Sequence, residues 1–475
     1  MSKIKGKQLK VNLIYNAFYQ ILTLIVPLLT APYISRVLGV SGVGNYGFTY
    51  SIAHYFVLFS MLGVLNYGSR EMARVRNDAE QLPKSFWGIY SVQFSVGCTV
   101  CLAYVLYVCI FCDNYKTIFL FQGLYVLAGM LDISWFYFGI EEFKFTTGIS
   151  AINKVVTTGL IFFLVKNENH VFIYTIIIAG GTLFNNIIYW CLLKKYIPFK
   201  KVSIIEIREH IKPLLLLFIP VIAVSLYKYM DKVMLGAMLS TTEVGIYESA
   251  EKFINLPMCV ISAVGTVMLP RISNMKENNE LDAIRRYNFA SMVLVVFLSL
   301  GMSFGLAGIS KVFIPWFYGN SFTKSADVLI VLVPSIVFVS WANVIRTQCL
   351  LPNKKDKGYC ISVMIGALVN VVINTILIPK HGAIGAAIGT LISEVIVCVV
   401  QSIMCRKEME LIKYIKYSIS FLFCAIAMYF VIINLNFATD FLTVFVRIIV
   451  GGMIYIISSV FFMKNVFEVY KNGNK

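Results

Sequence analysis

Charged residues are scarce in this chain: Asp, Glu, Lys and Arg make up only 14% of its 475 residues, with 24 carboxylates against 41 basic groups. A soluble domain of this length fills a limited core and keeps a polar exterior, so 59% hydrophobic residues and a mean hydropathy of +0.78 exclude that class. Short alternating strands are missing, which excludes a membrane β-barrel. No connection between apolar runs is long enough to hold a soluble catalytic or nucleotide-binding domain, and no Gly-x-x-x-x-Gly-Lys-Ser/Thr phosphate cradle occurs. Eleven cysteines are present, but they lie scattered through apolar runs, Cys98-x-x-Cys101 and Cys109-x-x-Cys112 among them. Without His partners in polar loops they read as small packing residues, not as a metal or disulfide framework.

What remains is an all-α polytopic membrane protein. A hydrocarbon layer of about 30 Å asks for runs of about 20 residues, and helices satisfy their own backbone there. Fourteen such runs are expected, near 11–31, 43–65, 86–111, 117–140, 147–165, 170–193, 212–230, 245–269, 288–309, 325–348, 358–378, 382–404, 414–434 and 440–463. The first follows Lys3, Lys5, Lys7 and Lys10 but is too long for a signal core and lacks a small-x-small cleavage site, so it is read as a retained helix. Most Lys and Arg fall at the two ends and in the even-to-odd connections, which places both termini in the cytoplasm of a multi-pass protein of the cytoplasmic membrane. The same bias accounts for the net charge of +17 through anionic lipid headgroups and leaves no call for nucleic acid. The most basic connection, Lys194 to Lys212, divides a six-helix lobe at 1–200 from a second at 201–408, and two accessory helices occupy 409–475.

The lobes look duplicated. Leu38-Gly39, Val43-Gly44-Asn45-Tyr46 and Arg70 are matched by Leu235-Gly236, Val244-Gly245-Ile246-Tyr247 and Arg271, the Arg following the second Gly by 26 residues in both (70−44, 271−245). Pro27 and Pro220 lie upstream. Duplicated helical bundles of this kind bind substrate around a central cavity.

Ionisable and amide groups inside apolar runs are functional candidates, because burying them in lipid is costly. Lys154 stands with Asn153, Thr157 and Thr158 in the fifth run and has no acid within helical reach; Ile161, Phe162 and Leu164 form the apolar side expected to face lipid. Arg346 follows Asn343 at helical spacing, where it serves either the cavity or a positive-inside anchor. Lys228, Asp231 and Lys232 share a helix face, and Glu248, Glu251 and Lys252 repeat the spacing; they read either as internal ion pairs or as the place where a carboxylate takes a coupling ion. Asn12, Asn16 and Gln20, with Asn370 and Asn374, mark further polar stripes that also suit helix–helix hydrogen bonds.

Asn370-Val-Val-Ile-Asn374-Thr-Ile-Leu-Ile-Pro379-Lys-His-Gly382-Ala-Ile-Gly385-Ala-Ala-Ile-Gly389 resembles a helix-pair signature of the polysaccharide-transporter family, the O-antigen and capsule repeat-unit flippases of the multidrug/oligosaccharidyl-lipid/polysaccharide exporter superfamily. Asp231-Lys-Val-Met-Leu-Gly236, the two Val-Gly-x-Tyr motifs and Trp135-Phe-Tyr-Phe-Gly139-x-Glu141-x-Phe143 agree with it along the chain. The resemblance implies a non-enzymatic exporter of polyprenyl-pyrophosphate-linked oligosaccharide, working among membrane lipids and alongside a polysaccharide polymerase and chain-length regulator. It needs no cofactor beyond a proton or sodium gradient. On that reading Lys154, Lys228, Arg346, Arg36, Asn16 and Asn374 meet pyrophosphate or sugar, and Asp231, Glu248 or Glu251 takes the coupling ion. A multidrug exporter of the same superfamily would carry a more acidic cavity, and a membrane polymerase a long external loop or an acidic metal site.

Overall fold

The computed structural model describes the backbone of residues 2–472 and the side chains of 25–464 apart from 223, 226 and 227. Helices alone form its regular structure among the described residues: α1 Ser2–Met61, α2 Val64–Val75, α3 Gln81–Phe111, α4 Lys116–Met130, α5 Ser134–Gly139, α6 Phe143–Leu164, α7 Val171–Leu193, α8 Ile204–Met238, α9 Thr241–Glu277, α10 Leu281–Tyr318, α11 Thr323–Ile345, α12 Asp356–Cys405, α13 Leu411–Ile433 and α14 Asp440–Asn472. The expected apolar runs fall mostly on helix, 43–65 being broken at 62–63 and 117–140 at 131–133. Eleven described stretches are long and apolar enough to cross a membrane, and two of them, Ile25–Val75 and Asp356–Cys405, have 51 and 50 residues, enough for two crossings each. This is a multi-pass membrane protein. The chain divides into two compact units, Met1–Tyr229 and Met230–Lys475.

In the first unit, α4 stops at Met130 and α5 begins at Ser134, so the carbonyls at the end of α4 lose their helical partners. Polar side chains from neighbouring helices replace them. Gln93 of α3, fully buried, donates to Gly129 O and Asp132 O at 2.9 Å; Asn186 of α7 donates to Ala128 O (2.7 Å) and Trp190 to Leu131 O (2.9 Å). Gln93 Oε1 in turn accepts from Trp135 Nε1 at 3.1 Å, which fixes that ring in a core with Phe86, Phe136 and Tyr137. Gly68 of α2 must be glycine, since a Cβ there would stand 2.5 Å from the Trp135 ring.

The second unit is built on α10, against which α11, α13 and α14 pack. Arg447 of α14, a basic residue in the middle of the last run, is buried and donates to Ile433 O and Leu435 O at the end of α13, to Gly308 O of α10 and to Asn436 Oδ1. A cation at a helix C-terminus satisfies the orphan carbonyls and meets the negative end of the dipole. The outward faces of α13 and α14 carry Ile415, Ile419, Phe423, Ile448 and Ile457, all exposed, as a bilayer solvent allows.

The cysteine expectation needs correcting. Cys349, just beyond α11, and Cys405, at the end of α12, form a disulfide, while the other nine are free. The pair are 56 residues apart in sequence, and only the packing of α11 on α12 brings them together.

Both halves of α12 are separated at Gly382, whose φ of +57° suits glycine alone. Glu243, three residues into α9, sends its carboxylate there to accept from Ala383 N at 2.7 Å, capping the second half of α12. A Cβ at 382 would stand 2.4 Å from Glu243 Oε2. Gly382→Ala is therefore expected to cost about 1–3 kcal/mol through strain and loss of this cap, seen as a lower melting temperature in detergent; an unchanged melting curve would refute the arrangement.

Candidate functional site

The three coupling-ion candidates of the second unit sort into two kinds. Glu251 Oε2 pairs with Lys232 Nζ at 2.9 Å, and Glu248 Oε1 with Lys252 Nζ at 3.1 Å, so these two behave as internal ion pairs. Asp231 does not. It is 3% exposed, and among the described residues no Lys, Arg or His nitrogen lies within 4.0 Å of it. Three neutral donors hold it: Asn374 Nδ2 gives 2.6 Å to Oδ1, while Tyr247 Oη and Thr390 Oγ1 each give 2.6 Å to Oδ2. The donors come from α12's first half, α9 and α12's second half, and all converge on the last turns of α8.

Glycine makes this convergence possible. A Cβ at Gly389 would fall 2.0 Å from Asn374 Oδ1, and one at Gly385 would fall 2.4 Å from Leu377 O, so the two halves of α12 meet backbone to side chain at Gly389 and backbone to backbone at Gly385. Asn374 also donates to Asn370 Oδ1 at 3.1 Å. Asn374 Oδ1 and Asn370 Nδ2 are buried without a hydrogen-bond partner among the described residues. An ionised carboxylate buried without a counter-charge is costly even when hydrogen-bonded, and a positive charge delivered to this oxygen-rich point offsets the cost.

The remaining candidates are dispersed. Lys154 is half-buried in α6, and no carboxylate among the described residues lies within ion-pair distance of its Nζ. Thr157 and Thr158 return their hydroxyl protons to Asn153 O and Lys154 O, at 2.9 and 2.6 Å, and Asn153 and Thr157 pack where Gly181 of α7 leaves room. The apolar face of α6 is as expected at Phe162 and Leu164, which are exposed, but not at Ile161. Ile161 is only 3% exposed, whereas Ile152, Val155, Val156 and Phe163 are 67, 59, 52 and 77% exposed. Helical periodicity explains it, since 154, 157, 158 and 161 share one stripe and 152, 155, 156 and 163 another.

Arg346 is half-buried at the start of a π-helical turn, Arg346–Leu350, with Nη2 giving 2.7 Å to Asn343 Oδ1 and Nε buried without a hydrogen-bond partner among the described residues. Such turns recur at functional positions. Lys228 is exposed, its Nζ 5.7 Å from the centre of the Tyr229 ring, and Arg36 is exposed on α1. Asn16 lies outside the described side chains.

Sequence reasoning missed a group of aromatic residues in the first unit. Tyr46 Oη meets Tyr125 Oη at 3.0 Å, and the rings of Tyr46, Tyr50, Tyr125 and Tyr174 stand edge-on or stacked, continuing through Tyr50 to His54 and Tyr229. These residues are all half-buried and come from α1, α4, α7 and α8. Only the Val-Gly-x-Tyr motif signalled any of them.

The model of the family described as "Polysaccharide biosynthesis protein" matches residues 9–276, more than half of the chain. The chain belongs to this family. It is 24% identical over 405 residues to the "Putative O-antigen transporter" of Escherichia coli (strain K12), covering 83% of this chain and 95% of that one. Among solved structures, it resembles the lipid II flippase MurJ in an inward closed conformation, with a TM-score of 0.76, 18% identity and coverage of 96% and 99% of the two chains. An inward-facing multidrug resistance MATE family transporter follows at a TM-score of 0.57 and 12% identity, covering 81% of this chain and 97% of that one. At these identities the structures establish a MurJ- and MATE-like fold for this family member.

A double-mutant cycle tests the Asp231 arrangement. Tyr247→Phe and Asp231→Asn, singly and together, are expected to show a coupling energy of about 0.5–3 kcal/mol in denaturant unfolding. Additive effects would mean that the hydrogen bond contributes nothing.

Proposed function

We propose that this protein is a flippase that moves a polyprenyl-pyrophosphate-linked oligosaccharide from the inner to the outer leaflet of the cytoplasmic membrane, opening alternately to each side, for cell-surface polysaccharide synthesis. Both termini are then cytoplasmic, and a polymerase and chain-length regulator act on the delivered units. The observation that carries this reading is Lys154, a cation in a membrane-spanning helix with no carboxylate at ion-pair distance among the described residues, in a member of a polysaccharide biosynthesis family. A pyrophosphate cannot cross hydrocarbon unaided, and charge-assisted contacts to Lys154 lower its barrier. Arg346, Lys228, Arg36 and Asn16 stay candidates for further donors, Asn374 is taken up by Asp231, and the half-buried tyrosine group of the first unit offers faces on which sugar rings stack. The relatives named as an O-antigen transporter and a lipid II flippase support the same substrate chemistry. A multidrug exporter shares the fold, but the unpaired Lys154 disfavours a cationic cargo.

We place the coupling ion, a proton or sodium, at Asp231. Glu248 and Glu251 were equal candidates on spacing, yet each already faces a lysine. Asp231→Asn is expected to abolish the dependence of transport on an ion gradient while Glu251→Gln keeps it; the reverse pattern would move the ion to the paired glutamate.

Proteoliposomes loaded with lipid-linked oligosaccharide, compared with a panel of cationic drugs, test the main reading. Lys154→Ala should reduce flipping by roughly tenfold to a hundredfold, the worth of one charged hydrogen bond, at normal membrane level, and Lys154→Arg should retain part of it. Normal transport by Lys154→Ala, or transport by Lys154→Glu equal to that of the Arg variant, would remove the anion-binding role.

A further inference from the structure

A cavity of about 1010 Å³ opens in the second unit where the end of α9, the start of α10, the π-helical turn after α11 and the α12–α13 connection meet. These are all ends of even-to-odd connections, the basic side of the chain. Five cationic residues line it, Lys276, Arg285, Arg406, Lys407 and Lys413, against two carboxylates, Glu408 and Glu410. The carboxylates are already engaged, Glu408 by Lys355 and Glu410 by Lys413 at 3.2 Å. Arg285, Arg406 and Lys407 have no carboxylate within 4.0 Å among the described residues, so the cavity carries an uncompensated positive charge.

Gln348 forms part of the lining and is a second, independent sign of a ligand. Its side chain is 2% exposed, and neither Oε1 nor Nε2 has a hydrogen-bond partner among the described residues. Leaving both ends of a buried amide unmet is costly, so an occupant that accepts from Nε2 and donates to Oε1 recovers the cost. Two large apolar side chains of the lining, Leu281 and Ile412, are 62% and 86% exposed, so the cations sit beside surface that wets with hydrocarbon.

We propose that this cavity binds the phosphate headgroup of an anionic membrane lipid of the phosphatidylglycerol kind. Phosphate oxygens meet Arg285, Arg406, Lys407 and Gln348 Nε2, a headgroup hydroxyl donates to Gln348 Oε1, and the acyl chains run past Leu281 and Ile412. Free phosphate shares the polar part of this chemistry but makes no use of the two apolar residues.

Calorimetric titration of the detergent-purified full chain separates the sources, with dihexanoylphosphatidylglycerol, dihexanoylphosphatidylcholine and inorganic phosphate as probes. The glycerol lipid should bind most tightly. Arg406→Gln with Lys407→Gln, both exposed, should weaken it by about thirtyfold, the product of two headgroup-cation contacts. Gln348→Leu should weaken it too, and Arg406→Lys with Lys407→Arg should bind nearly as the natural protein does. Lys194→Gln with Lys195→Gln, exposed lysines of another connection, should leave it unchanged. Equal binding of the choline lipid, no loss in the cavity variants, or an equal loss in the Lys194/Lys195 control would overturn the site. Inorganic phosphate binding as tightly as the glycerol lipid would overturn the lipid as its occupant.

Discussion

Inside a bilayer no water completes a broken helix, so each interruption must be met by a side chain that reaches the freed backbone groups. The architecture follows from how this chain meets that demand. At the end of α4 an amide, a second amide and an indole take the carbonyls of Ala128, Gly129, Leu131 and Asp132. At the end of α13 the guanidinium of Arg447 does so, and at Gly382 the carboxylate of Glu243 takes an N–H. These polar residues are placed by the breaks they repair, so polarity within a span is by itself a weak guide to function. Arg447 shows the point, being a buried cation whose four contacts are all with carbonyl oxygens.

What distinguishes Asp231 and Lys154 is that no such repair accounts for them. Asp231 reaches no N–H of a helix end; its oxygens are met by two hydroxyls and an amide. All three donors are neutral, so Asp231 has no counter-charge within 4.0 Å among the described residues, unlike Glu251 beside Lys232. Lys154 is the inverse case, a cation with its neighbouring threonines turned back on their own helix.

Much of this was legible in the sequence. Composition and run length settled the helical membrane class, and the family was carried by motifs whose glycines prove to be contact points. Gly389 and Gly385 are needed because Asn374 and Leu377 lie against them, and Gly382 because the chain turns there with positive φ. Illegible were the partners that only tertiary packing chooses. Tyr247 and Thr390 reach Asp231 from 16 and 159 positions away, Cys349 reaches Cys405 across 56, and the tyrosine group assembles from four helices. Ile161, buried where the lipid face was expected, is a different failure, because the 3.6-residue period already puts it on the stripe of Lys154 and Thr157.

The duplication bears on why the candidate sites differ between the units. Val43 and Val244, Gly44 and Gly245, Tyr46 and Tyr247, Arg70 and Arg271 are all separated by 201 positions (244−43, 245−44, 247−46, 271−70). The same offset carries the break at Gly39 onto Ser240, where α8 gives way to α9, so Leu38-Gly39 answers to Leu239-Ser240; Leu235-Gly236 lies one turn earlier, still within α8. It also carries Asp231 onto Thr30, Lys232 onto Ala31, Glu248 onto Gly47 and Glu251 onto Tyr50 (231−201, 232−201, 248−201, 251−201). Among the described residues Thr30 returns its hydroxyl to its own helix, to Val26 O at 3.0 Å and Pro27 O at 3.4 Å. The shared scaffold therefore requires none of these charges, since the first unit builds the same helix–break–helix element without them. The two copies of the motif tyrosine have parted likewise, Tyr46 joining other phenols and Tyr247 serving Asp231. Lys232, Glu248 and Glu251 have a structural reason in their ion pairs, whereas Asp231 has none, so it is the charge of this element that folding leaves unexplained.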